Sequence, residues 1–447
     1  MVELPIPQNQ PDDPPTWHPD PDRLTLMQHR ISDPPRILTR SAGRSSCSIF
    51  TVPTTLAAAN DGRAYRPQIV SVGPYHHGDP GLRMIQEHKW RLLGALLDRA
   101  RVGLEDLLRA VQPLEAQARD CYSAAVHVSA DEFVEMLVVD GCFVVELLRI
   151  FGGFVGSDAG DPLTSLSWVY PFFLRDLVRL ENQIPFFVLE CLVEATREKG
   201  VGSDPGLPEL VLRFFNNALQ RPDEFVERSR NLTGKHLLDF LRLSLIPEGY
   251  DEPEHSRYTN THVIPCISKL VRAGIKLRPG PKHDSFLAVK FKRGGVIEMP
   301  TITIDDFMCT FLLNCVAYEQ CHKHCSKHVT TYATFLDCLV NTARDVEHLC
   351  DRNIIENYMG TDADVATFVN NLGRDVSFYI DACYLSGLFN EVNDYYNNHW
   401  HVQWASFKYM YFNTPWSFIS ALAAFVLLVL TVAQTYFTIM GYVRPPN

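Results

Sequence analysis

Apolar residues recur every three or four positions through most of the chain, which is the spacing of one face of an α-helix. Residues 84–99 show it first, and their apolar stripe also contains Lys89. The same pattern predicts helices at 104–122, 129–150, 168–196, 210–220, 235–245, 264–273, from 305 to beyond 315, and at 329–350, 361–373 and 375–412. The sequence therefore predicts a large, mainly α-helical domain.

Strand patterns are few and short. Runs rich in β-branched residues at 48–52 and 68–72 have the composition of short strands. Residues 286–291 and 296–299 flank a glycine turn, a pattern typical of a β-hairpin. The expected fold class is mainly α, with a minor β-hairpin or small sheet.

The helix predicted at 129–150 is apolar on most sides, so we expect it at the centre of the core. Ser129 and Glu132 have the spacing of a capping box at its first turn. Asp140 lies within its apolar stretch. Such an acid either forms a buried ion pair, for which we expect an arginine partner, or has a shifted pKa for acid–base chemistry.

Pro185 interrupts the helix predicted at 168–196, because proline lacks an N–H and disfavours helix at the preceding residue. The polar residues Glu181, Asn182 and Gln183 come just before this break, among apolar neighbours. Buried side chains of this kind must satisfy the backbone groups that the interruption frees.

One uncharged segment, residues 416–440, begins at Trp416 and ends at Met440. At about 1.5 Å per residue, a helix of this length spans a hydrocarbon core roughly 30 Å thick. Trp416 and Tyr436 lie near its two ends, where aromatic side chains prefer the membrane interface. We therefore predict one transmembrane helix at 416–440, followed by a short tail at 441–447.

The first part of the chain has a different composition. Residues 1–45 are rich in Pro, Asp and Arg and poor in large apolar side chains, which predicts a disordered arm. The globular domain is expected at 46–412. The first residues lack the basic and apolar regions of a secretory signal. We therefore expect a tail-anchored protein, in the plasma membrane, whose large N-terminal domain faces the cytosol.

Cysteine usage and charge narrow the class of protein. The twelve cysteines are scattered through apolar helical stretches, which fits reduced thiols in the cytosol. The net charge of −11 argues against nucleic acid as a partner, because phosphate binding needs a basic surface.

Residues 269–293 differ from the rest of the chain in charge, with eight Lys or Arg against the single acid Asp284. That run is either a solvated face or a contact surface for an anionic membrane or an acidic partner.

The best metal candidates are Cys321, His324, Cys325 and His328, which would share one face of a helix. Four ligands on one helix cannot easily surround a tetrahedral ion, which usually draws on two elements. The alternative is a polar helix end with reduced thiols. We expect no metal and no other cofactor.

A second candidate is the loop with His76, His77 and Asp79, whose side chains can act as acids or bases. The competing explanation is a turn before Pro80. No G-x-S-x-G, H-E-x-x-H or Walker A pattern occurs in the chain. We therefore assign no catalytic residue and expect that the protein is not an enzyme.

The chain contains six strings that are specific in combination: VSVGPYHHG at 70–78, EHKWR at 87–91, MLVVDGCF at 136–143, LENQIPFF at 180–187, YEQCH at 318–322 and FNTP at 412–415. Together they resemble a plant family, the "domain of unknown function 247" proteins, over about residues 48–442. The resemblance implies a plant protein with a C-terminal membrane anchor and no established activity or catalytic residues. It also implies a role, because members at two self-incompatibility loci of grasses are regarded as pollen determinants.

Loops at 152–165, 198–208 and 247–261 tolerate sequence change on a helical core, and a membrane anchor raises the effective concentration of weak partners. We therefore expect a single-pass recognition protein whose partners are the lipid bilayer and another protein. With the resemblance, the expected role is a pollen-side self-incompatibility determinant of grasses. The first alternative is a membrane-tethered signalling or stress-response scaffold, and the second is a hydrolase that uses His76, His77 and Asp79.

Overall fold

The computed structural model describes residues 19–60, 62–156, 160–197, 205–253, 262–281, 285–398 and 415–443. The helices before the first sheet are α1 (Pro21–Ser32), α2 (Thr54–Ala59), α3 (Arg83–Ala100), α4 (Leu104–Val111), α5 (Glu115–Arg119), α6 (Ala130–Phe151), α7 (Pro162–Ser165), α8 (Val169–Asp176), α9 (Phe186–Ala195), α10 (Leu207–Leu219), α11 (Asp223–Arg228), α12 (Leu237–Ser244) and α13 (Ile267–Arg272). The remaining elements are β1 (Lys276–Pro279), β2 (Lys290–Lys292), β3 (Val296–Met299), β4 (Ile302–Ile304), α14 (Asp306–Cys321), α15 (His328–Leu339), α16 (Ala343–Cys350), β5 (Ile355–Asn357), α17 (Asp362–Leu372), α18 (Ser386–Asn397) and α19 (Pro415–Val443). The predicted fold class, mainly α with a minor sheet, is confirmed.

The strands of the described residues form two small sheets. In the first, β3 is central, with β1 parallel on one side and β2 antiparallel on the other. The predicted hairpin is thus present, as β2 and β3, but its first strand begins at Lys290 and not at Phe286. The second sheet pairs β4 with β5 in parallel.

The strands predicted at 48–52 and 68–72 do not belong to either sheet. Ile49 makes only an isolated bridge to Tyr122. The backbone N–H groups of Ile69, Val72 and Gly73 donate to buried side chains instead of to a neighbouring strand. A β-branched run favours extended backbone, and tertiary contacts decide which groups pair with it.

Helix α6 is the centre of the core, as predicted. Ser129 and Glu132 form the expected capping box, and α6 packs against α3, α4, α9 and α10. Gly141 allows the closest approach, because a Cβ there would lie 2.3 Å from a methyl carbon of Leu192 on α9. Nearly every α6 side chain from Phe133 to Arg149 is buried.

Several predicted helices are divided in the structure. The helix predicted at 168–196 becomes α8 and α9, and Pro185 lies immediately before α9. The one predicted at 329–350 becomes α15 and α16, because Thr342 and Asp345 form a capping box that starts a new helix. The interruption at Pro185 was predicted, whereas the break at Thr342 was not, because apolar periodicity continues across it.

The predicted arm contains helix α1, and residues 1–18 lie outside the described residues. None of the α1 side chains is buried, and Leu24, Met27 and Ile31 form an exposed stripe. At the other end, α19 includes the predicted span. Its segment Ile419–Met440 is long and apolar enough to cross a membrane, and none of it is buried against the domain.

Candidate functional site

The family-like segment 70–78 is held by buried polar side chains. One carboxylate oxygen of Asp176 accepts hydrogen bonds from the N–H groups of Ile69 at 2.8 Å and Val70 at 3.0 Å. Asn182 accepts from Val72 N–H at 2.7 Å and donates to the Val70 carbonyl at 3.1 Å. The polar residues before Pro185 therefore satisfy buried backbone, as predicted, but much of that backbone belongs to a distant segment.

A buried ion pair joins α3 to α6. Lys89 Nζ lies 2.5 Å from Asp140 Oδ1 and 2.5 Å from the Ser71 carbonyl, which accepts a second hydrogen bond. The other oxygen of Asp140 accepts from Gly73 N–H at 3.0 Å. The expected arginine partner of Asp140 is thus wrong. Lys89 is the partner because the stripe of α3 that contains it faces α6.

Gly73 is required at this point. Its φ is +80°, and a Cβ would lie 2.6 Å from the carbonyl oxygen of Gln183. The Tyr122 hydroxyl donates to that same carbonyl at 3.0 Å. The segment 70–73 is therefore fixed from both sides before it reaches the histidine loop.

His76 has a buried orienting partner in Glu181. His76 Nε2 lies 3.1 Å from Glu181 Oε2, and both side chains are mostly buried. The other Glu181 oxygen accepts from Val52 N–H at 2.7 Å, which holds the carboxylate in place. A histidine held by a carboxylate in this way can accept or release a proton.

The predicted loop residues His76, His77 and Asp79 share one cavity of about 210 Å³, which is also lined by Ser71 and Arg83. The Ser71 hydroxyl is buried there without a hydrogen-bond partner. Asp79 Oδ1 accepts from Gly81 N–H at 2.8 Å, which is the turn before α3 that the sequence suggests. The structure brings the loop residues together, and Asp79 N–H donates to the His76 carbonyl at 3.2 Å. Within the described residues, the side-chain partner of His76 is Glu181 and that of Asp79 is Gly81 N–H.

The metal candidates do not lie on one continuous helix. Helix α14 ends at Cys321 and α15 begins at His328. The Cys325 thiol donates to the His322 carbonyl, and His328 Nε2 faces the Tyr250 carbonyl at 2.6 Å. Among the described residues, no three His, Cys, Asp or Glu side chains are placed to hold a metal ion.

Glu319, in the string YEQCH, connects α14 to the start of α15. It accepts from the N–H groups of Val329 and Thr330 at 3.1 and 2.7 Å, so it caps α15 from the last turn of α14. Arg242 pairs with both Glu319, at 3.3 Å, and Asp239, at 2.9 Å. These groups are almost fully buried.

His236 lies beside this cluster. Nε2 lies 3.0 Å from the Ser48 carbonyl, and Nδ1 accepts from Asp239 N–H at 3.3 Å, which caps α12. Burial lowers the pKa of His236 from 6.5 to about 4. The neutral imidazole is the form that satisfies both partners, because a proton on Nδ1 would remove the cap acceptor.

An apolar groove of about 570 Å³ lies between α3, α4 and α6. Trp90 and Leu104 line it and are 48% and 42% exposed, so two large apolar side chains are accessible to a partner there. Asp131 and Glu135 of α6 also line it. Sequence reasoning missed this groove. The signal was the tryptophan in the string EHKWR, but its exposure depends on how α4 packs.

The described residues beside the three predicted loops make contacts in different parts of the domain. Arg149 near the end of α6 donates to the Thr196 carbonyl at 3.4 Å, so the residues that precede the loops at 152–165 and 198–208 are neighbours. The loop that starts at 247 instead contacts the start of α15, where Lys327 N–H donates to Glu252 at 2.6 Å.

Comparison with known proteins gives a family match over most of the chain. A model of the family DUF247, described as a plant protein of unknown function, matches residues 49–430. The UPF0481 protein At3g47200 of Arabidopsis thaliana is 36% identical over 440 residues, which cover 92% of this chain and 90% of that protein. The putative UPF0481 protein At3g02645 of the same plant is 22% identical over 482 residues, covering 87% and 89%. No solved structure matches significantly.

Proposed function

The chain belongs to the DUF247 family of plant proteins, and from that premise we propose that it is a single-pass, membrane-anchored recognition protein and not an enzyme. The observation that carries the proposal is the exposed groove at Trp90 on a domain that is followed by a candidate membrane helix. Exposed tryptophans are frequent at the energetic centres of protein interfaces. The buried ion pair of Lys89 with Asp140 holds α3 against α6, and both helices line the groove.

The chemistry of the groove supports an amphipathic helix with a basic edge as its partner. The apolar floor takes an apolar stripe, and the carboxylates of Asp131 and Glu135 attract basic side chains. The chain itself contains such a helix. In α1, Arg23 and Arg30 lie seven residues apart beside the exposed apolar stripe. We therefore take α1 as the occupant of the groove, in competition with partner helices of the same kind.

A labelled peptide of residues 19–34 tests this proposal. The peptide should bind a full-length chain in which Met27→Asp prevents α1 from occupying the groove. Adding Trp90→Ala to that chain should weaken binding of the peptide about tenfold or more, because the groove then lacks its anchoring side chain. Fluorescence anisotropy measures the affinity. Trp168→Ala, which removes another exposed tryptophan on α8's side of the domain, should leave it unchanged.

Equal affinity of the Trp90→Ala and parent chains would rule out the groove as the binding surface. A peptide with Arg23→Glu and Arg30→Glu should bind more weakly at low salt, and the difference should shrink in high salt.

We further propose that the domain faces the cytosol at the plasma membrane. Charges flanking the candidate span do not decide orientation, since Lys408 and Arg444 are one on each side. The sequon at Asn231 is a useful reporter because the residue is exposed. In plant cells an acceptor sequon added after Asn447 should be glycosylated and Asn231 should not. Glycan on Asn231 would show the opposite orientation.

The biological setting we propose is the pollen side of grass self-incompatibility, which rests on the resemblance to members at those loci. Specificity would then be carried by the three loops at 152–165, 198–208 and 247–261. Exchanging these loops between two allelic forms should exchange pollen rejection. A protein absent from mature pollen would favour the alternative, a signalling or stress-response scaffold.

A hydrolase is the second candidate, favoured by the His76–Glu181 hydrogen bond and the unpartnered Ser71 hydroxyl in the same cavity. Its discriminating variant is His77→Ala with Asp79→Ala. Loss of biological function with the fold and groove binding intact would support catalysis over recognition.

A further inference from the structure

The three-stranded sheet has one strongly basic face. Lys276 and Arg278 of β1 and Lys290 and Lys292 of β2 are all exposed. Leu277 of β1 is buried on the opposite face. Because side chains alternate along a strand, the four cations share the outer face. The hairpin and strand register thus place the basic run of the sequence on a single surface.

Only one described carboxylate of this sheet lies among these cations. The strand register places Glu298 of β3 opposite both Arg278 and Lys290. Its partner is Lys292, at 2.5 Å. Four cations against one carboxylate leave three net positive charges on a surface three strands wide, on a chain whose net charge is −11.

The same sheet is the support for the last described helix before the candidate membrane span. Tyr395 of α18 packs perpendicular to Phe291 of β2, with ring centroids 6.0 Å apart. It also covers the hairpin turn, where a Cβ on Gly295 would lie 2.5 Å from its ring. Asn398 follows α18, and α19 begins at Pro415. Sixteen residues separate the two, so their ends are at most about 60 Å apart.

We propose that this basic sheet face binds anionic lipid headgroups of the membrane that α19 enters. The proposal rests on the membrane anchor proposed above. The tether keeps the face close to the bilayer, so weak electrostatic contacts suffice. Each lysine or arginine near an anionic leaflet strengthens attachment roughly fivefold. Contact through the sheet would orient the domain and fix which other surfaces remain open to partners.

Lysine acylation of the full-length protein in lipid nanodiscs tests the proposal. One disc contains phosphatidylcholine alone, and the other contains 30 mole per cent phosphatidylserine. Mass spectrometry measures acylation at each lysine. Lys276 and Lys290 should react at least about threefold more slowly in the serine-lipid disc, and 0.5 M NaCl should abolish the difference, because it shortens the screening length to a few ångströms. Lys323, an exposed lysine after α14, should react equally in both discs.

Charge variants separate this effect from general attraction. Glu298→Gln removes the one opposing charge and should increase protection of Lys290. The double substitution Lys276→Gln with Arg278→Gln should remove most of the protection of Lys290. The matched control is Arg36→Gln with Arg101→Gln, which removes the same charge from exposed positions outside the sheet and should change nothing.

Equal acylation of Lys290 in the two discs would overturn the proposal. Protection in phosphatidylcholine discs by 5 mM inorganic phosphate alone would also overturn it, because the face would then be a site for a soluble anion. Release of the protein from either disc by alkaline carbonate would instead show that the anchor itself is wrong. The two failures are therefore distinguishable.

Discussion

Asp140→Ala should lower the free energy of unfolding by about 3–5 kcal/mol, because it leaves a buried ammonium group without its counter-ion. The side chains of Lys89 and Asp140 are 0% and 1% exposed, so water cannot replace the lost partner. The substitution also removes the acceptor for Gly73 N–H. Urea unfolding of the full-length protein in detergent, followed by tryptophan fluorescence, measures the change.

Two comparisons identify the cause. Lys89→Met combined with Asp140→Asn should recover at least half of the loss, because neither charge is then buried and the amide can still accept from Gly73. Glu105→Ala removes an exposed ion pair with Arg109 and should cost less than about 0.5 kcal/mol. If Asp140→Ala lowers the free energy of unfolding by less than about 1 kcal/mol, then leaving the Lys89 ammonium group unpaired does not carry the cost of a buried charge.

This pair shows how far sequence reasoning extends. Lys89 within an apolar stripe and Asp140 within an apolar helix were both visible anomalies, and each indicates a buried charge. Their pairing was not visible, because it depends on which faces of α3 and α6 meet. Helical periodicity defines a face but not its neighbour, so the expectation of an arginine partner had no geometric support.

The same distinction applies to the candidate sites. Local signals were reliable: the Ser129 capping box, the break at Pro185 and the glycine hairpin all depend on residues close in sequence. Contacts across the chain were not predictable. Glu181 meets His76 from a hundred residues away, and the groove at Trp90 exists only because α4 leaves that tryptophan uncovered. The strand-like run at 68–72 was misassigned since its backbone partners are side chains.

Lowering the pH from 7 to 5 should destabilise the protein by about 2 kcal/mol through His236 alone. Its pKa is about 4 in the folded protein and ordinarily 6.5. Between these values the unfolded chain binds more protons than the folded one, so stability falls as the pH falls. The physical cause is burial, together with the use of Nδ1 as the cap acceptor for Asp239 N–H.

His236→Asn isolates this contribution. Asparagine is a favoured cap residue and does not titrate. The difference in unfolding free energy between pH 7 and pH 5 should therefore be about 2 kcal/mol smaller in the variant than in the parent, whatever the variant's stability at pH 7. Urea unfolding at the two pH values measures that difference. His77→Asn, which replaces an exposed histidine, should keep the parent's pH dependence. If His236→Asn keeps it as well, the buried imidazole does not resist protonation, and the acid sensitivity belongs to other groups.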